Sequence, residues 1–280
     1  MHTTRSELQA YDIEKGSNED CHQGGILADH PLILWPPDKP LSESPGPVAD
    51  GVPVGILPAE TFAQCGLWRQ ALDATRPEKP FMATLAMGTS PFLEKSDALR
   101  GALQLAYPSH IVHKWQADMM DRNALASALT TGPELAIYTG HGRMNCWSGY
   151  QVTKWSTIKQ AKRDVPIGAL MHFSCSAMAG QKSGESFGAK WILSGRALSS
   201  FGATSAVKTI DLCALMDVFM VVLESKKPRH LGDWLVEVDA LLRKSRTLHY
   251  LLTTFGKFRL LGSARAFCKL ASSVLNQFIK

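Results

Sequence analysis

A thiol and an imidazole stand at matching places in this chain. His141 follows the apolar run Glu134-Leu-Ala-Ile-Tyr-Thr-Gly, and Cys175 follows Ile167-Gly-Ala-Leu-Met-His-Phe-Ser. Each run reads as a buried strand. The stretch between them is polar and helix-compatible, so the pattern is strand, crossover, strand, which implies a parallel pair. Parallel strands joined this way bring their carboxyl ends to one sheet edge, where open α/β sheets place their sites. A cysteine nucleophile needs a thiol with an imidazole near enough to take its proton. The 34 positions from His141 to Cys175 therefore predict a His–Cys dyad.

Each residue taken singly has a plainer explanation. A cysteine closing an apolar strand is ordinarily a small core residue, and a histidine beside glycine is ordinarily part of a loop. Their surroundings favour the chemistry. Gly140 and Gly142 flank His141 and let the backbone turn sharply and approach a ligand. Ser174, Ser176, Ala177 and Ala179 surround Cys175 with small side chains that leave space for a substrate.

Thr-Gly-His141-Gly followed by Ser-Cys175-Ser, each after a hydrophobic strand, resembles the caspase-fold (clan CD) cysteine peptidases, most of all the gingipain-like and CHAT-type groups. The late segment Phe258-Arg-Leu-Leu-Gly262-Ser263 is similar to the strand that closes those domains. There Leu-Gly-Asp-Pro is frequent, and here Ser263-Ala264 stands in place of Asp-Pro. The resemblance spans about Lys79 to Ala266. It implies a three-layer α/β/α sandwich with a mostly parallel, caspase-like sheet. It further implies Cys175 as nucleophile, His141 as its proton partner, and backbone N–H groups of Gly142 and Cys175 as the oxyanion hole. No third acid and no cofactor are implied.

Substrate preference is much less readable. In the resembled family a pocket residue often lies two before the nucleophile, which here is the uncharged Phe173. Another follows the next strand, where Lys208 and Asp211 would select opposite charges. Asp211 tips the reading toward a basic substrate side chain. Glu185 is a third candidate, or only an acid in a helix first turn. Trp147, Tyr150 and Trp155 either line a substrate cleft or pack their loop down. His172, three residues before Cys175 on the same strand, faces the other side of the sheet. Cys146 is a loop residue near the site or an alternative nucleophile.

The elements that position these residues follow from patterning. Phe81–Met87 and His110–Trp115 read as strands. Ser96-Asp97 offers an N-cap for a helix through Leu105. Asp121 caps a helix over Arg122–Leu129, which Thr131-Gly-Pro133 stops. A crossover helix lies near Thr157–Arg163. A helix carrying Phe187, Trp191, Ile192 and Leu193 ends at Gly195. A strand is expected over Ser199–Val207, amphipathic helices near Leu212–Ser225 and Leu231–Arg243, and a last strand at Phe258–Gly262. Strands alternating with helices imply an α/β sandwich.

With 280 residues, 45% hydrophobic and 20% charged, the chain buries a sizeable core. Net charge is +5 but unevenly spread. Residues 1–50 hold three Lys/Arg against nine Asp/Glu, which leaves +11 for residues 51–280. The expected organisation is an irregular, acidic, Pro-rich arm over 1–50 and a peptidase domain over 51–280, with the island Pro31–Trp35 docking on the domain. The arm is a solvated terminus, or a self-inhibitory segment held by the basic body. No nucleic-acid motif accompanies the basic charge. No apolar leader is visible and no stretch is fit to span a bilayer, so a cytoplasmic protein is expected. The six cysteines are scattered without C-x-x-C pairs, which argues against zinc and against a disulfide scaffold.

Three functions compete at this point. One is an intracellular endopeptidase cleaving a protein partner. Another is a catalytically silent caspase-fold scaffold or regulator. The third is a different cysteine hydrolase or acyltransferase on another α/β fold; no Gly-x-Ser-x-Gly elbow is present.

Overall fold

The hydrophobic runs found above become the strands of one sheet. The computed structural model describes residues 32–35, 39–59, 62–74, 80–162, 164–180 and 186–266. In chain order these form β1 (Leu32–Leu34), β2 (Val48–Ala49), β3 (Val52–Pro53), β4 (Gly55–Leu57), α1 (Phe62–Asp73), β5 (Phe81–Ala86), α2 (Phe92–Ala106), β6 (Ile111–Gln116), α3 (Arg122–Leu129) and β7 (Leu135–Thr139). There follow β8 (Cys146–Trp147), β9 (Thr153–Lys154), α4 (Trp155–Gln160), β10 (Ile167–Phe173), α5 (Phe187–Leu193), β11 (Ala197–Ala203), α6 (Thr209–Lys226), α7 (Leu231–Lys244), α8 (Leu251–Phe255) and β12 (Phe258–Gly262).

Eight strands build the main sheet in the order β1-β4-β12-β11-β10-β7-β5-β6. The β11–β12 pairing is antiparallel and the others are parallel. Every residue of β7, β10 and β11 is buried, as expected of parallel strands covered on both faces. One covering layer holds α2, α6, α7 and α8, and the other holds α1, α3, α4 and α5. Leu212, Leu215, Met216, Phe219, Val222 and Leu223 recur at helical spacing and give α6 its buried stripe. No helix among the described residues is long and apolar enough to cross a membrane.

The sheet register places the chemistry. Thr139, the last residue of β7, pairs with Phe173, the last of β10, and with Ala86, the last of β5. The residues that follow all emerge at one edge of the sheet, near its centre.

Several expectations need correction. The Ser96-Asp97 cap does not form. Helix α2 starts at Phe92, and Ser96 lies buried within it. Burial of Phe92 beneath the β7 end outweighs the polar run Glu94-Lys-Ser-Asp97 that hides the helix start. The strand expected over 199–207 ends at Ala203, because residues 204–207 turn toward Cys175. The irregular reading of 1–50 and its boundary at 51 also fail where the structure describes them. Leu32–Leu34 pair with Gly55–Leu57, so the docking island is an edge strand of the main sheet. Val48 pairs with Pro53 and Ala49 with Val52 across a turn at Asp50-Gly51, both left-handed. A short Asp-Gly hairpin thus spans the expected boundary. Residues 1–31 of the arm lie outside the described residues.

Candidate active site

The imidazole is delivered by a tightly held turn. The buried Thr139 hydroxyl donates to the carbonyls of Leu85 (3.3 Å) and Phe92 (3.2 Å), tying the end of β7 to β5 and α2. A Cβ on Gly140 would lie 2.6 Å from the Tyr138 hydroxyl, so only glycine fits there. That hydroxyl and the Gly149 N–H both donate to the His141 carbonyl, at 2.8 and 2.9 Å. Burial pushes the Tyr138 phenol far above its usual range, so it acts as a neutral donor. With its backbone pinned on two sides, His141 points an exposed ring outward, edge-on to Phe92 at 5.3 Å between centroids. Among the described residues no carboxylate or other hydrogen-bonding partner meets that ring.

The thiol is delivered from the neighbouring strand. After Phe173 and the buried Ser174, Cys175 is half-buried at the turn out of β10. Ser176 is left-handed, with φ of 55°. Its N–H donates to Ser205 O (3.1 Å), and the Met178 N–H donates to Ala203 O (2.9 Å). The 203–207 segment therefore runs beside the cysteine. The Cys175 thiol donates to the Val207 carbonyl (3.3 Å), and the Val207 N–H donates to Sγ (3.4 Å).

The two halves meet at Gly142. A Cβ there would lie 2.5 Å from Ser174 Oγ and 2.6 Å from the Cys175 carbonyl oxygen. The backbone after His141 thus rests on the Ser174 side chain and the Cys175 carbonyl, a contact that any side chain at 142 would prevent. Among the described residues, neither the Gly142 nor the Cys175 N–H donates to a protein acceptor. Unpaired amides at a thiol nucleophile are the kind of group that can hold a developing negative oxygen.

A buried aromatic block supports this edge. Trp147 lies wholly inside, stacked with Tyr138 (4.9 Å) and Trp191 (5.8 Å). Its indole N–H donates to His172 Nδ1 at 2.9 Å, so His172 carries its proton on Nε2, which donates to Ser200 Oγ (3.0 Å). Trp147 therefore packs the loop down and lines no cleft. Tyr150 is equally buried, and Trp155 packs edge-on against Trp191. Phe173 is likewise no pocket residue. It is 1% exposed and meets Phe219 edge-on at 5.1 Å in the core. Trp147 thus takes the packing alternative, and the face of Phe173 was not readable because alternation along a strand does not tell which face a helix covers. Asp211 lies in the first turn of α6, half-exposed, four residues beyond Val207. Cys146 is buried, and burial pushes its thiol up. Glu185 lies outside the described residues.

The roles of Tyr138, Phe92 and Val207 escaped the sequence reading, and Ser174, read as leaving space for a substrate, is instead fully buried. Tyr138 carried a signal, since a polar tip in a fully buried strand needs a partner. Val207 carried none, because its contact with Cys175 depends on where β11 ends.

Solved structures similar in fold include cysteine proteases of the caspase-like class. Gingipain R, described as an Arg specific cysteine proteinase, superposes with a TM-score of 0.65 at 12% identity, covering 95% of this chain and 68% of that one. The Porphyromonas gingivalis complex of gingipain pro- and mature domains gives 0.62 at 13% identity, covering 95% and 70%. A Saccharomyces cerevisiae separase–securin complex gives 0.53 at 14% identity, covering 76% of this chain but 14% of that chain. The chain thus has the clan CD, caspase-like α/β fold. Residues 78–262 match the model of peptidase family C25, and the chain belongs to that cysteine peptidase family. No curated protein sequence matches it.

Proposed function

We propose that the protein is an intracellular cysteine endopeptidase that cleaves a protein partner through a His141–Cys175 dyad. The observation that carries this reading is the seating of Gly142 on the Ser174 side chain and the Cys175 carbonyl, which joins the histidine turn to the cysteine turn. Family membership and fold support it. A reducing compartment suits the unbridged thiols of Cys146, Cys175 and Cys213. The CHAT-type likeness rests on the His-Gly and Ser-Cys-Ser motifs.

In the first step His141 takes the Cys175 proton, and the sulfur bonds to the scissile carbonyl carbon. The C=O π pair moves to oxygen, where the Gly142 and Cys175 N–H groups hold it. Collapse of that adduct breaks the C–N bond, and the imidazolium gives its proton to the departing amine. Water then adds to the thioester as His141 takes its proton, and loss of the thiolate releases the acid. Within the 207–211 segment Asp211 is the carboxylate, so a basic substrate side chain is the preference it favours.

The test is cleavage of a peptide library and candidate partner proteins by wild type and Cys175→Ala. Cleavage by wild type with none by the variant is expected, and equal cleavage by both would eliminate the reading. Inactivity of both would favour a silent scaffold.

A further inference from the structure

A peptidase acting through Cys175 must hold a negative oxygen during acyl transfer, and one more polar group lies at that place than the two amides. Ser174 is fully buried, and its hydroxyl makes no hydrogen bond to any described residue. Buried polar groups are nearly always satisfied, so an orphan beside a nucleophile needs a cause. Its surroundings supply one. Ser174 Oγ and Cβ lie 2.5 and 2.8 Å from where a Gly142 Cβ would sit, so the hydroxyl is packed directly against the Gly142 backbone. The Gly142 amide is itself without a protein acceptor. Two unpaired groups in contact, next to the reacting sulfur, describe a site whose partners arrive with the substrate.

We propose that Ser174 is a positioning residue for the acyl-transfer step, an inference that rests on the peptidase reading. The His141 carbonyl of the same peptide is held by Tyr138 and Gly149, so the amide already stands at its working angle, and the Ser174 hydroxyl packed against Gly142 keeps it there when the oxyanion draws on its N–H. In the resting protein the hydroxyl is buried at a cost to stability, and the return comes only in the transition state. Such an arrangement lowers stability to raise turnover, as active sites commonly do.

Ser174→Ala separates this role from a structural one. Three readouts are compared with wild type: steady-state cleavage of a library-derived peptide, affinity for a peptide aldehyde, and alkylation of Cys175 by iodoacetamide. Addition to the aldehyde forms a sulfur–carbon bond and moves the carbonyl π pair onto oxygen, so it needs the oxyanion site. Alkylation displaces iodide from a saturated carbon and creates no oxyanion. The expected result is kcat lower by roughly tenfold with KM little changed, since the interaction is made only in the transition state. Aldehyde affinity falls by a similar factor. The alkylation rate stays the same and the melting temperature is not lowered, because no hydrogen bond is lost. Ser174→Gly, a second variant without the hydroxyl, gives the same loss in kcat and aldehyde affinity. Unchanged kcat and aldehyde affinity in both variants would overturn the inference. So would a matching fall in alkylation rate or a clear loss of melting temperature. Failure of the peptidase reading itself looks different, because wild type would then neither cleave peptide nor bind aldehyde.

Discussion

Gly142 has more consequences than its size implies. Any side chain there meets Ser174 Oγ and the Cys175 carbonyl, so Gly142→Ala must push the two turns apart. We expect kcat to fall by about 100-fold through loss of an aligned oxyanion donor, measured with a peptide substrate. A fold retained in circular dichroism would show that the effect is local. The cysteines offer a second comparison. Cys175 is half-buried, whereas Cys146 and Cys213 are buried with thiols pushed up by burial. Iodoacetamide at neutral pH should therefore label Cys175 well before those two, as peptide mapping would report. The placement of His141, Gly142 and Cys175 just beyond two neighbouring strand ends was legible, because an apolar run, a glycine and a reactive side chain coincide in sequence. The burial of Phe173 and Trp147 was not, because it depends on helices more than a dozen residues away in the chain.

The loop after His141 owes its placement to β10 rather than to its own composition. Trp147 anchors it to His172, and burial pushes that imidazole down to about 3. The folded chain keeps the ring neutral, while the unfolded chain protonates it at its ordinary value near 6.5. This contribution to stability is complete above about pH 6.5 and is lost as pH falls toward 3. His172→Asn removes that dependence. Between about pH 6 and 4, denaturant titrations should show wild type losing about 1.4 kcal/mol more per pH unit than the variant. The strands themselves were readable as apolar runs, and Phe258–Gly262 and Arg122–Leu129 were read to the residue. For the latter the reason is chemical. Asp121 accepts from the Asn123 and Ala124 amides, which lowers its own carboxyl pKa. The start of α2 was missed because no capping side chain marks it.

Besides the β1–β4 pairing, one buried cation ties the segment before β4 to the fold. Arg259 on β12 is 5% exposed and donates to Leu41 O, Ser42 O, Ser44 Oγ, Gly256 O and Phe258 O at 2.7–3.0 Å. Burial brings its guanidinium down to about 10. Arg259→Met should cost about 2–4 kcal/mol and expose residues 39–44 to limited proteolysis, because the charged bonds that hold the Leu41, Ser42 and Ser44 acceptors are lost together. Sequence patterning placed most of these residues in an irregular arm, since no local signal reveals a clasp made more than two hundred residues away. The sheet order and the seating of the two turns at its centre together frame a cysteine peptidase, and its central claim concerns one sulfur and one imidazole. The direct measurement is capture by a peptidyl chloromethyl ketone, followed by intact mass and peptide mapping, on wild type, His141→Ala and Cys175→Ala. A single adduct on Cys175 in wild type, slowed by at least tenfold in His141→Ala and absent from Cys175→Ala, is the result predicted. Labelling that proceeds at the same rate without His141, or that falls on another cysteine, would contradict the account.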